Sequence, residues 1–125
     1  MAMNDSIPPK ATGWQRIVNA GGYSIKGIVS TCQSEAAFRQ ELWLLAIAVP
    51  LAFWLGDTAL ETGLLLASVI LVLIVELLNS ALESIVDRVS LEHHPLSGKA
   101  KDQGSAAVLL ALILAGIIWL CVLLD

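Results

Sequence analysis

The chain has 125 residues, of which 57% are hydrophobic and only 14% charged, and its mean hydropathy is +0.78. A chain this short and this apolar cannot bury its apolar surface in a core of its own, so a water-soluble domain is excluded and a bilayer is the expected solvent. The net charge of −4 comes with no basic patch on which nucleic acid could bind.

Residues 1–13 ("MAMNDSIPPKATG") have neither an apolar core nor a cleavage pattern, so nothing is expected to be removed. Pro8 and Pro9 make this stretch a flexible leader before a single integral-membrane domain over 14–125. Trp14, Ile17, Val18, Gly21, Ile25, Ile28 and Val29 then recur at helical spacing, while Arg16, Asn19, Lys26 and Ser30 turn away from them. This pattern predicts an amphipathic helix over about 14–32 lying in the membrane interface. Gly21 and Gly22 weaken it by roughly 1 kcal/mol each relative to alanine. They read either as a break between two short helices or as a place where another molecule approaches the backbone. Ser34 is the expected N-cap of "EAAFRQE", with Glu35 at the helix start where the macrodipole favours negative charge.

Three apolar stretches follow. Leu42–Leu55 carries no charge and forms the body of a first span over about 35–56. Gly63–Val75, continued by a helix-compatible pattern through Val86, gives a second over about 62–87, and Ser105–Leu124 gives a third over about 103–124. The fold class is therefore an all-α membrane protein with three transmembrane helices and an N-terminal amphipathic surface helix. Lys10, Arg16, Lys26 and Arg39 precede the first span, Arg88, Lys99 and Lys101 lie between the second and third, and no Lys or Arg stands elsewhere. That distribution puts the N-terminus and the 88–104 loop in the cytoplasm and the C-terminus outside. Cys32 and Cys121 lie on different segments in reducing or apolar surroundings, so packing and not a disulfide is expected of them.

The second span ends in an unusual way. At about 100° per residue, Glu76, Asn79, Glu83 and Asp87 share a stripe less than a quarter of the helix circumference wide and about 16 Å long, flanked by Ser80 and Ser84. A carboxylate in hydrocarbon costs roughly 2.5 to 3.5 kcal/mol. A polar seam between packed helices explains the amide and the serines. It explains three acids poorly, because no basic residue within a span can pair with them. Their counter-charge must come from a metal ion or from the interface. Hard oxygen ligands fit Mg2+, which takes one or two carboxylates together with substrate phosphates. Glu83 is a candidate ligand near the headgroups, and Glu35 is a second at similar depth. Glu76, two turns deeper, suits general-base work on a substrate arriving from the lipid. The "RVSLEHHPLSGKAKDQGS" loop adds Lys99, Lys101 and Asp102, which could hold an anionic nucleotide without a P-loop frame. His93 and His94 by themselves are weak evidence for a metal.

"GGYSIKG", "EAAFRQE", "VELLNSALESIVDR" and "LSGKAKDQGSAAV" together resemble the small bacterial integral-membrane diacylglycerol kinase family, over nearly the whole chain from Trp14 onward. The resemblance implies a homotrimeric bundle in the bacterial inner membrane with active sites shared between subunits. It also implies transfer of the γ-phosphate of ATP to diacylglycerol, giving phosphatidic acid, with Mg2+ as cofactor. By position, Glu76 would be the base, with Asn79 and Asp87 supporting the catalytic site. Glu35 and Glu83 would hold Mg-ATP, and Arg16, Tyr23, Glu92, His93, His94, Lys101 and Asp102 would contact the nucleotide. Arg39, Glu41, Trp54 and Ser105 would lie near the lipid. Asn19 stands where the best-known members carry a basic residue. Two other activities fit a chain of this kind: an undecaprenol kinase, which differs mainly in its lipid pocket, and a small proton-coupled transporter built on one intramembrane Glu. The second needs a carboxylate reachable from both sides, whereas the polar candidates here cluster on the cytoplasmic half.

Overall fold

The computed structural model describes residues 9–89 and 92–125. Residues 1–8 of the expected leader, and positions 90 and 91 of the 88–104 loop, lie outside the described residues. Four helices follow in chain order: α1 (Gly13–Ser34), α2 (Ala36–Leu55), α3 (Ala59–Val89) and α4 (Pro95–Leu124). No strand is present among the described residues. α2, α3 and α4 are each long and apolar enough to cross a membrane, which makes this a three-span protein with an additional N-terminal helix.

α1 runs unbroken through Gly21 and Gly22, so the pair does not divide it. Trp14, Ile17, Val18, Ile25, Ile28 and Val29 are all exposed along it, as an interfacial helix requires. Its end differs from the expectation. Ser34 is the last residue of α1, and its hydroxyl donates back to the Ser30 carbonyl, while the non-helical residue between α1 and α2 is Glu35. A serine hydroxyl that already has a carbonyl one turn back is not available to cap the next helix. The Glu35 N–H donates to Thr31 O at 2.8 Å, and Arg39 Nη1 reaches back to Cys32 O at 2.6 Å and Gln33 O at 3.3 Å. One arginine thus satisfies carbonyls that the end of α1 would leave bare.

The turn between α2 and α3 closes tightly. Thr58 Oγ1 accepts from the Glu61 N–H, and Glu61 Oε2 accepts from the Asp57 N–H, a reciprocal arrangement related to the capping box. Gly56 sits where an added Cβ would overlap Thr62 Oγ1 and stand 2.8 Å from Thr62 N and 2.9 Å from Ala52 O.

α3 is the central helix. Leu65, Ser68, Val69, Val72, Leu73 and Glu76 form one buried stripe at helical spacing along it. α2 and α4 both pack on α3: the buried residues of α2 are Phe38, Ala48 and Ala52, and those of α4 are Ala111 and Gly104, the last meeting Asn79 and Leu82 just beyond the stripe. These partners are mostly small, which lets the backbones approach closely. Trp119 Nε1 on α4 donates to Ser68 Oγ on α3 at 3.0 Å, and that hydroxyl donates to Leu65 O at 2.7 Å. The Trp119–Ser68 bond ties α3 to α4 inside the apolar layer. At 1.5 Å per residue α3 and α4 are each roughly 45 Å long, against a hydrocarbon core of about 30 Å. The excess is polar, and both helices carry it at the ends that meet in the 90–94 connection.

α4 begins at Pro95, so Lys99, Lys101 and Asp102 are helical and do not lie in a loop. The cause is local. His94 Nδ1 accepts from the Leu96 N–H at 3.1 Å as the N-cap, and Pro95 stands at the first helical position, where its fixed φ suits a helix and its missing N–H is not needed.

Candidate active site on α3 and its neighbours

Glu76 closes the buried stripe of α3 and is only 8% exposed. The carboxyl of Glu41, one turn inside α2, faces it within hydrogen-bonding reach. Oε2 of Glu41 is buried and receives no donor from the protein. Two carboxyls facing each other in a dry setting need a donor between them, either a proton held by one of the pair or a group that enters from outside. A hydroxyl group is such a donor.

One turn along, Asn79 Nδ2 donates to Glu83 Oε1 at 3.4 Å, a long bond within the helix. Asn79 Oδ1 is buried without a donor against Gly104 of α4. Glu83 is half-buried, so the stripe emerges toward water at this height. Asp87 is exposed, and its Oδ1 accepts from Lys101 Nζ of α4 at 2.7 Å. The same ammonium is close enough to Glu83 to act on its charge. Lys101 is therefore the cation that joins the polar end of the carboxylate stripe to α4.

Beside that pair lies a cavity of about 250 Å3 lined by Asp87, Glu92, His93, His94, Gly98 and Lys101 together with Val86 and Ser97. Asp102, next in sequence to Lys101, faces a second and wider groove of about 700 Å3 that shares His93, His94 and Gly98. Five of the expected nucleotide-contacting residues, Glu92, His93, His94, Lys101 and Asp102, thus flank the first turns of α4, beside Asp87 at the end of α3. Arg16 and Tyr23 are not among them. They line a separate cavity of about 420 Å3 on α1 with Asn19 and Pro9.

The residues expected near lipid are dispersed. Glu41 joins Glu76, while Arg39 is engaged with the end of α1 and also edges a groove with Leu42 and Trp43. Trp54 is 78% exposed at the far end of α2, roughly 20 Å from Glu41 along the helix axis. Ser105 is exposed on α4 beside Gly104. Glu35 is half-buried at the junction of α1 and α2.

Among the described residues no three His, Cys, Asp or Glu side chains converge as a metal cage. The donor set nevertheless suits Mg2+, which is bound through one or two carboxylates plus substrate phosphates and not by an all-protein cage. Glu83, with one oxygen oriented by Asn79, meets that requirement.

The family model described as prokaryotic diacylglycerol kinase matches residues 22–123. The chain belongs to that family. A diacylglycerol kinase of Escherichia coli strain K12 is 55% identical over 113 residues, 90% of this chain and 92% of the relative. One from Haemophilus influenzae is 50% identical over 110 residues, 88% of this chain and 93% of the relative. One from Pseudomonas aeruginosa is 51% identical over 114 residues, 91% of this chain and 93% of the relative. The segment shared with the prokaryotic diacylglycerol kinase family takes in Glu35, Glu41, Glu76, Asn79, Glu83, Asp87 and Lys101.

The α3 stripe is legible in the sequence, whereas the residues that face it from other helices are not. Glu41 enters only through the resemblance, since nothing in one helix says which carboxylate faces it from another. Gly104 leaves no signal except a small residue among apolar ones.

Proposed function

We propose that Glu76 is the base of a phosphoryl transfer carried out where α3 leaves the hydrocarbon. The protein is a diacylglycerol kinase: it moves the γ-phosphoryl group of ATP to the hydroxyl of diacylglycerol, giving phosphatidic acid and ADP. The lipid oxygen bonds to the γ-phosphorus, the bond from that phosphorus to ADP breaks, and the hydroxyl proton passes to Glu76. The observation that carries this assignment is the buried Glu76 facing Glu41, whose Oε2 is buried with no donor from the protein. A lipid hydroxyl entering from the membrane is a donor of the right kind, and Glu41 would help to align it.

The remaining roles follow the gradient from lipid to water. Glu83 and Glu35 would hold Mg2+, which when bound neutralises charge on the triphosphate. Lys101 brings a fixed positive charge to the same end, and Asp87 holds its ammonium. Glu92, His93, His94 and Asp102 would contact the nucleotide from the start of α4, and Arg16 and Tyr23 from α1. Arg39, Trp54 and Ser105 would contact the lipid, and Asn79 would orient Glu83. The Lys and Arg distribution supports a multi-pass protein of the bacterial inner membrane, with the N-terminus and the 88–104 connection in the cytoplasm and the C-terminus outside. The apolar surface left exposed on α2 and α4 is suited to lipid and to neighbours in a homotrimer.

The test is phosphorylation in mixed micelles containing diacylglycerol or a polyprenol, with labelled ATP and Mg2+. Labelled phosphatidate, formed faster than polyprenyl phosphate and abolished by EDTA, is the expected result. Preferential labelling of the polyprenol would make the chain an undecaprenol kinase. Proton flux in liposomes without ATP or lipid phosphorylation would contradict the kinase assignment.

A further inference from the structure

Gly104 and Ala111 are the two buried residues of α4. A Cβ added at Gly104 would overlap Oδ1 of Asn79 and stand 3.2 Å from Asn79 Cγ and 3.8 Å from Leu82 Cδ2. These three nearest atoms all belong to side chains, and the tightest is the far end of a rotatable one. A side chain at 104 would therefore displace the Asn79 amide before it displaced the backbone of α3. Gly98 and Gly116 of the same helix have nothing within 4 Å of such a Cβ, so the contact belongs to position 104.

The displaced amide has a function to lose. Asn79 Nδ2 is bonded to Glu83 Oε1 at 3.4 Å, already at the long limit for a hydrogen bond, so a shift of a few tenths of an ångström ends it. On its other side Oδ1 is buried with no donor to hold it. The orientation of the amide thus depends on the shape of the space at Gly104. We propose that Gly104 is a positioning residue for nucleotide-metal binding: its bare backbone lets the Asn79 amide stand where it orients the Glu83 carboxylate. This inference rests on the reading of Glu83 as a ligand of Mg-ATP.

The experiment measures the Kd of the magnesium complex of a non-hydrolysable ATP analogue by equilibrium dialysis in detergent micelles, so that no turnover is required. The proteins are the wild type, Gly104→Ala, Asn79→Ala, the Gly104→Ala/Asn79→Ala pair, and Glu83→Gln. Helical melting is followed on each by circular dichroism. Gly104→Ala is expected to stay folded, alanine being the better helix former. It is expected to raise Kd about 3-fold or more, less than a short hydrogen bond to a charged group would give because this one is long. In the Asn79→Ala background the same substitution is expected to change nothing further, because the group through which it acts is gone. An unchanged Kd, an equal rise in both backgrounds, or loss of folding in Gly104→Ala would each overturn the proposal. If Glu83→Gln alone leaves Kd unchanged, the ligand reading of Glu83 fails, and the route from Gly104 fails with it. If Glu83→Gln weakens binding and Gly104→Ala does not, only the positioning role is lost.

Discussion

Lys101 of α4 reaches Asp87 of α3 with 2.7 Å between Nζ and Oδ1, and this ion pair closes the polar end of the α3–α4 hairpin. Both side chains are about half exposed, 45% and 57%, and water screens such pairs heavily. The pair therefore adds little to stability, and on the proposed mechanism it serves to hold a positive charge in place. Replacing Lys101 by Met should leave thermal unfolding in detergent nearly unchanged. The same variant should raise the KM for ATP about 10-fold or more, because the cation proposed to face the triphosphate is lost. A large drop in melting temperature with ordinary ATP kinetics would mean that the pair is structural.

Glu83→Gln removes a negative charge while keeping size and hydrogen-bonding reach. The concentration of Mg-ATP needed for half-maximal rate should rise by about 10-fold or more, with the diacylglycerol requirement changed far less. The two KM values, measured in one micellar assay, separate these effects. Equal apparent affinity for Mg-ATP in the variant would remove Glu83 from the metal-binding set.

Gly56→Ala tests the turn between the first two spans. The new methyl group would meet backbone atoms, Thr62 N at 2.8 Å and Ala52 O at 2.9 Å, which cannot rotate away. The expected cost is about 1–3 kcal/mol of stability, read from denaturation in detergent. Lipid kinase turnover of the folded fraction should be unaltered, since Gly56 lies at the end of α2 away from Glu41. A variant as stable as the wild type would show that the turn relaxes freely.

The stability test marks a division that runs through the molecule. The α3 stripe from Glu76 to Asp87 was legible in the sequence because it is periodic within one helix, and one period fixes the direction of each side chain. The three spans were legible for a similar reason, as runs of hydropathy. What could not be read depends on pairs of helices. Glu41 opposite Glu76, Gly104 against Asn79 and Trp119 on Ser68 each require knowing how far two helices slide past one another. The start of α4 was hidden for a different reason. Charged residues at its N-terminus read as a loop, whereas His94 and Pro95 begin a helix there that carries Lys101 to Asp87. The Ser34 hydroxyl shows why a cap is hard to read from sequence: it can bond backward to a carbonyl as readily as forward to an N–H.

The proposed chemistry turns on Glu76. Its exposure of 8% and its position facing Glu41 suit a group that accepts a proton from a lipid hydroxyl in a dry site. The decisive measurement is the rate of phosphatidate formation by Glu76→Gln at saturating diacylglycerol and Mg-ATP, made on protein whose helical melting matches the wild type. A fall of about 100-fold or more, with Mg-ATP binding retained, is the expected result. Turnover within a few-fold of wild type would contradict the assignment of Glu76 as the base.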